Sequence, residues 1–260
     1  RRISPVQDQQ GHAKAGRRTM SLRLEAKKCR RPVFFPAVLL AACAASAFPI
    51  LNMLVRAETF TAMAGAPFDI LTDANWQMMA MLNILLAVCG ACMLYHTEFA
   101  DNGMQKMDVL PVRAGNLFLG KFVLLMLALF GVLFLETAVL GACAAHWFPA
   151  YDWSPQGLLA SVGFQWAITL PTVMLMLVIA SACKNMWVSL GVGVIWVVTT
   201  AVFPQGSLGR QVCPFSTPYQ TVAAVQSAVE VPLFLGVCAA ETIVFGLCEL
   251  IYLKVRRRFA

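Results

Sequence analysis

Six stretches of this chain are long and apolar enough, or nearly so, to cross a lipid bilayer, and no other feature restricts the fold so tightly. They run over 33–55, 76–96, 122–145, 157–183, 186–203 and 232–253. A spanning helix needs about 20 mostly apolar residues at 1.5 Å rise each. Lipid offers the backbone no hydrogen-bond partner, so each stretch has to satisfy its own amides, which an α-helix does. The expected fold is therefore all-α: a polytopic membrane protein of six transmembrane helices. The fifth stretch is short and follows closely on the fourth. Composition agrees: 59% of the 260 residues are hydrophobic and 13% charged, where soluble domains carry about 45–50% and about 25%. Mean hydropathy is +0.70. The apolar runs leave no region able to build a separate soluble core.

The net charge of +7 is placed as membrane orientation rather than as a nucleic-acid footprint, and no nucleic-acid partner is expected. Counted from Met20, the odd-numbered flanks of the six stretches hold thirteen Lys and Arg, and the even-numbered flanks hold two, Arg56 and Arg210. Cations collect on the cytoplasmic side. Both termini are expected inside a cell membrane crossed an even number of times. Trp76, Trp147 and Trp153 fall at outer boundaries and Trp187 at an inner one, as interfacial rings do; Trp196 lies mid-helix and is assigned to packing.

Residues 1–19 are polar and aperiodic and are read as a disordered or non-native tail, with Met20 as the natural start. The membrane-spanning unit then covers 20–260. The first apolar stretch is too long and too Ala-rich throughout to be a cleaved signal. Residues 22–32 mix apolar positions with five cations and end at Pro32, the pattern of an amphipathic helix lying on the inner surface. Residues 204–231 form an outer loop with Pro204, Pro214 and Pro218, followed by a mildly apolar 221–229 that suits a partial or surface helix.

Gly115 to Lys121 matches most of the phosphate-loop pattern G-x-x-x-x-G-K-[ST]. Phe122 stands where the Mg²⁺-binding hydroxyl belongs, and no strand precedes the segment. Lys121 is read instead as an interface anchor of the third span. Nine cysteines lie mostly in apolar runs. Cys89 and Cys92 have redox or metal spacing but no second pair or His cluster, so they are read as buried thiols. Pairing of Cys143 with Cys213 stays open. The three histidines, His12, His96 and His146, complete no catalytic motif. No cofactor is expected on the chain itself. Glu136 in the third span and Glu241 in the sixth are costly in lipid, so they are expected to face other helices or water. They line a substrate path or bond between helices. Glu249, near the inner end, is assigned a structural role.

The loop between the second and third spans carries mixed charge around Met104, Met107, Val109 and Leu110, a composition suited to docking a cytosolic partner. Together with Leu24-Glu25-x-x-Lys28-x-Arg30-Arg31 before the first span, and with Glu98-x-x-x-x-Gly103-x-x-Lys106, Leu110-Pro111-Val112-Arg113 and Lys121 leading into the third, the chain resembles a type-2 ATP-binding-cassette transporter permease. The likeness is to the small six-span branch of lantibiotic-immunity and peptide-antibiotic export subunits, and it covers about Met20 to Ala260. The resemblance implies a separate ATP-binding subunit as partner. Glu25 and Lys28 would make one contact with it; Glu98, Gly103, Lys106, Pro111 and Arg113 would make another. It also implies a second permease copy or a paralogue, with amphipathic peptide or lipid-like antibiotics as cargo. Competing readings are a non-transporting membrane scaffold or signalling-linked protein, and an intramembrane enzyme built on Glu136 and Glu241.

Overall fold

Every long apolar stretch becomes a helix in the structure, a computed structural model that describes residues 34–99, 114–149, 154–183, 185–203, 208–228 and 230–259. In chain order these are α1 (Phe34–Thr61), α2 (Pro67–Phe99), α3 (Ala114–Trp147), α4 (Pro155–Ala182) and α5 (Met186–Ala201). Two short helices, α6 (Leu208–Val212) and α7 (Val222–Ala228), flank a 3₁₀ turn at Thr217–Tyr219, and α8 (Val231–Phe259) closes the chain. No strand occurs among the described residues. Among the described residues, five helices have spanning length and apolarity; α5 is apolar but shorter. The chain is a polytopic all-α membrane protein. The surface helix expected over 22–32 and the tail over 1–19 lie outside the described residues, as does the loop of 100–113.

Local chemistry accounts for the boundaries. Pro155 opens α4 with no amide to satisfy, and Ser154 accepts the Gly157 amide at 3.3 Å as its N-cap. The Asn185 side chain caps α5 by accepting the Trp187 amide at 3.0 Å. α1 loses helical geometry at Arg56 (φ −130°, ψ 26°), one residue past the expected end of the first span. Elsewhere the helices run past the apolar stretches. α2 starts nine residues before Trp76, α3 eight before Phe122, and α8 continues six beyond Leu253. A helix has no reason to stop where lipid ends, because its bonds are internal and polar residues continue it in water.

α2 is the central element and packs against α1, α3, α4 and α5. Close approach needs small residues, since lipid-solvated helices gain by contact rather than by hydrophobic expulsion. A Cβ at Gly90 would fall 2.7 Å from Leu125 Cδ1 on α3, and one at Gly193 would fall 2.5 Å from Val88 Cγ1 on α2. α8 packs mainly on α4, and a small cluster of Phe164, Ile168, Val225, Phe234 and Cys238 ties it to α4 and α7. Its other face is apolar and exposed, with Leu233, Ile243, Val244, Leu247 and Ile251.

Candidate functional site

α5 has 16 residues and so spans about 24 Å, short of a hydrocarbon core of about 30 Å. The chain that follows does not leave the bundle. Phe215, Ser216, Thr217, Tyr219 and Gln220 are buried among α2, α4 and α5. The segment expected as an outer loop is thus bonded into the bundle over this part, and the helix expected within 221–229 is present as α7. Non-helical backbone survives at such depth only if its polar groups find protein partners.

Those partners are side chains of the spanning helices. The Thr172 hydroxyl of α4 donates to the Pro214 carbonyl. Trp76 of α2 donates its indole N–H to the Pro218 carbonyl at 2.9 Å. The Gln165 amide of α4 donates to the Gln220 carbonyl at 3.2 Å. The Thr200 hydroxyl of α5 lies 3.2 Å from the Phe215 carbonyl. In return, Thr217 donates to the Ile168 carbonyl at 2.9 Å and Tyr219 to the Val197 carbonyl at 3.2 Å. Arg210, 2% exposed, donates to the Phe203 carbonyl at 2.8 Å and lies 5.5 Å from the Tyr219 ring centroid. Burial pushes the Tyr219 phenol up to about 12, with the neighbouring guanidinium pulling the other way. Burial likewise pushes the Arg210 guanidinium down, opposed by Tyr219. The result is a closure over the bundle end where α2, α4 and α8 begin, bonded to α2, α4 and α5.

The residues singled out from the sequence fall into distinct surroundings. Glu136 is fully buried and its Oε2 accepts from Asn83 Nδ2 of α2 at 2.7 Å. Glu241 is half-buried on α8, and its Oε2 has no partner. Glu249 accepts from the Ser181 hydroxyl of α4 at 2.6 Å, a structural bond as expected. Glu98 falls in the last turn of α2. Glu25, Lys28, Gly103, Lys106, Pro111 and Arg113 lie outside the described residues.

The phosphate-loop lookalike is part of α3, and a helix cannot fold its amides around a phosphate. Lys121 is not an interface anchor that reaches water. It is 1% exposed, with its Nζ 4.4 Å from the Tyr95 ring centroid. Trp76 is likewise no belt residue: it is buried in α2, bonded to the closure. Trp187 stands exposed at the start of α5, as a belt ring would. Trp153 lies outside the described residues. Trp196 stacks on Phe215, centroids 6.0 Å apart at 10°, the packing role expected of it. Cys143 and Cys213 are both free thiols, and Cys92 packs in the core with its Sγ 3.5 Å from the Ser189 hydroxyl.

Sequence reasoning missed Trp76, Thr172, Gln165 and Thr217 as a set. The available signal was polar residues at mid-helix positions of apolar spans, beside a proline-rich loop following a helix too short to span. Compared with known families, the chain matches the family model described as ABC-2 family transporter protein over residues 21–200, which takes in α1 to α5. No curated protein matches the chain.

Proposed function

The chain belongs to the ABC-2 family of transporter proteins, a multi-pass membrane permease and not an enzyme, and from that premise we propose how it works and on what. It is the membrane subunit of an exporter whose ATP is hydrolysed by a separate ATP-binding subunit. It acts in the cytoplasmic membrane with both termini inside, paired with a second copy or a paralogue. The cargo is an amphipathic peptide antibiotic or a lipid-like compound, as in immunity and antibiotic-resistance exporters of the lantibiotic branch. The chain holds no cofactor of its own. Residues 20–260 form one permease unit, preceded by a tail over 1–19.

The family match across α1 to α5 carries this reading. The bonded closure gives it a mechanical part. Five side chains, Trp76, Gln165, Thr172, Thr217 and Tyr219, bond carbonyls between the closure and the helices around it, so that end opens only if those bonds exchange together. A partner's ATP-driven closure at the opposite end supplies the work. Glu25 and Lys28 with Glu98, Gly103, Lys106, Pro111 and Arg113 are the proposed docking contacts there, and Glu136 and Glu241 the proposed lining of the path.

Co-purification in mild detergent tests this. An ATPase is expected to accompany the chain, and Glu98→Lys, or Met107→Asp with Leu110→Asp, is expected to release it while the chain still inserts. Losing such anchors commonly costs more than about 1–2 kcal/mol. If the wild-type chain recovers no ATPase, the scaffold reading replaces this one.

A further inference from the structure

α1, α2 and α3 pack on one another. They share a junction at Gly90 of α2, where a Cβ would stand 3.7 Å from Phe34 Cε2 of α1 and 3.7 Å from Leu125 Cδ2 of α3. Ser46 lies twelve residues beyond Phe34 on α1, Glu136 eleven beyond Leu125 on α3, and Asn83 seven before Gly90 on the antiparallel α2. At 1.5 Å per residue these steps are about 18, 16 and 10 Å in one direction. Helical side chains lean towards the N-terminus of their own helix. Ser46 and Glu136 therefore lean back towards the junction, and Asn83 leans away from it. The Asn83–Glu136 bond at 2.7 Å fixes that register. Ser46, buried on a helix packed against both others, falls in the same layer.

Three oxygens in this layer lack a donor. Glu136 is 0% exposed; its Oε2 accepts from Asn83, while its Oε1 is buried with no partner. Ser46 is 6% exposed, and its Oγ is likewise buried with no partner. Pro49, inside α1, brings no amide, so the carbonyl of the buried Ala45 four residues earlier loses its helical donor. Buried acceptors are normally satisfied. No cation of the described residues on α1 to α4 stands in the layer. α4 carries no charged residue; Arg56 and His146 lie about three turns away towards one end, and His96 and Lys121 about four turns away towards the other. An ionised carboxylate buried alone at such depth is among the costliest groups a bundle can hold.

We propose that this layer binds a small monovalent cation, its charge on Glu136 and its further ligands the Ser46 hydroxyl and the Ala45 carbonyl. One carboxylate calls for one positive charge, and carboxylate, hydroxyl and carbonyl oxygens suit a hard cation. Sodium has that chemistry, and so does a proton held on the carboxyl or as hydronium. The occupied layer is neutral, which lets α1 lie against α2 and α3 at a depth where a bare charge would draw in water. The site rests on the packing of three helices and needs no ATPase. It therefore goes beyond the exporter reading, and either can fail while the other stands.

Equilibrium binding of radioactive sodium to the full chain in nanodiscs, with infrared absorption of its carboxyl groups at neutral pH, tests it. Saturable sodium binding that Glu136→Gln weakens roughly tenfold or more assigns sodium as the occupant. Absence of sodium binding, with a protonated-carboxyl band that Glu136→Gln removes, assigns the proton. In either case Ser46→Ala takes away one ligand, and is expected to weaken sodium binding about threefold or more or to shift that band. Pro49→Ala returns a helical donor to the Ala45 carbonyl and is expected to act in the same direction. Ser46→Ala is the mildest change and keeps the test open should the other two variants fail to fold. An ionised carboxylate in the Glu136→Gln difference spectrum without sodium binding overturns the proposal. So does a signal that survives Glu136→Gln, or one that neither Ser46→Ala nor Pro49→Ala alters.

Discussion

Glu136 shows how a costly residue becomes tolerable. Its carboxyl sits at the centre of the bundle, bonded to Asn83, so lipid never meets it. Glu136→Gln keeps size and an acceptor, and is expected to leave thermal stability and yield near wild type. Glu136→Leu strands the Asn83 amide and is expected to cost about 1 kcal/mol, within the range for interhelical bonds in membranes, read as a lower melting midpoint in detergent. Glu241 offers a sharper contrast, since its partnerless oxygen gives a structural role little to lose. Glu241→Gln is expected to spare membrane abundance, and loss of export with abundance intact would assign the carboxylate to the path. At Tyr219 the sign of the pH effect follows from burial, which raises the phenol from its ordinary value of about 10 to about 12. Both folded and unfolded forms are neutral below pH 10, so the stabilisation is fully present there. It is lost as pH rises through 12, because the unfolded phenol ionises first. Tyrosinate absorbance is expected to show one late component near pH 12 that Tyr219→Phe removes.

At the level of elements, the short α5 and the buried turn after it are one device. The helix stops early, and the chain completes the layer as irregular backbone bonded to α2, α4 and α5. Trp76→Phe and Thr172→Val each remove one of those bonds and leave a buried carbonyl without its donor, at about 1–3 kcal/mol. The free, half-buried Cys213 reports on the closure. Its maleimide labelling rate in the double variant is expected to rise about tenfold or more, and an unchanged rate would show that other contacts hold the closure. The helical fold of 115–121 makes a parallel point. Lys121→Ala removes a buried cation from the Tyr95 ring, where such contacts are worth about 0.5–2 kcal/mol. It is expected to lower stability while leaving partner-dependent ATPase activity in place.

At the scale of the whole molecule, orientation is read at the two ends of the bundle. The α1–α2 turn and the α4–α5 turn lie at opposite ends of the bundle. With the native cysteines replaced, Ala62→Cys is expected to react with an impermeant maleimide on intact cells, and Asn185→Cys only after permeabilisation. The opposite pattern would invert the topology inferred from the charge bias. α1 and α8 both present apolar faces, Leu39, Leu40, Leu51 and Leu54 on one and Ile243, Leu247 and Ile251 on the other. Such faces need no protein cover in lipid, which is as apolar as they are.

Six apolar runs and their helical state were written in the sequence, because a bilayer imposes one requirement on every spanning segment and composition answers it residue by residue. The bland reading of Gly115–Lys121 was legible too, from Phe122 and the absent strand. The tertiary structure alone decided where the polar side chains go. Trp76, fitted to a belt by its position, turned inward because helix α2 began nine residues early and a buried carbonyl needed its N–H. Lys121 turned inward because Tyr95 stood beside it. Asp73 met Thr221 only because the chain ahead of α7 folds onto the end of the bundle where α2 begins. One-dimensional patterning records what each segment can tolerate around it, whereas hydrogen bonds between residues as distant as Trp76 and Pro218 depend on which helices become neighbours.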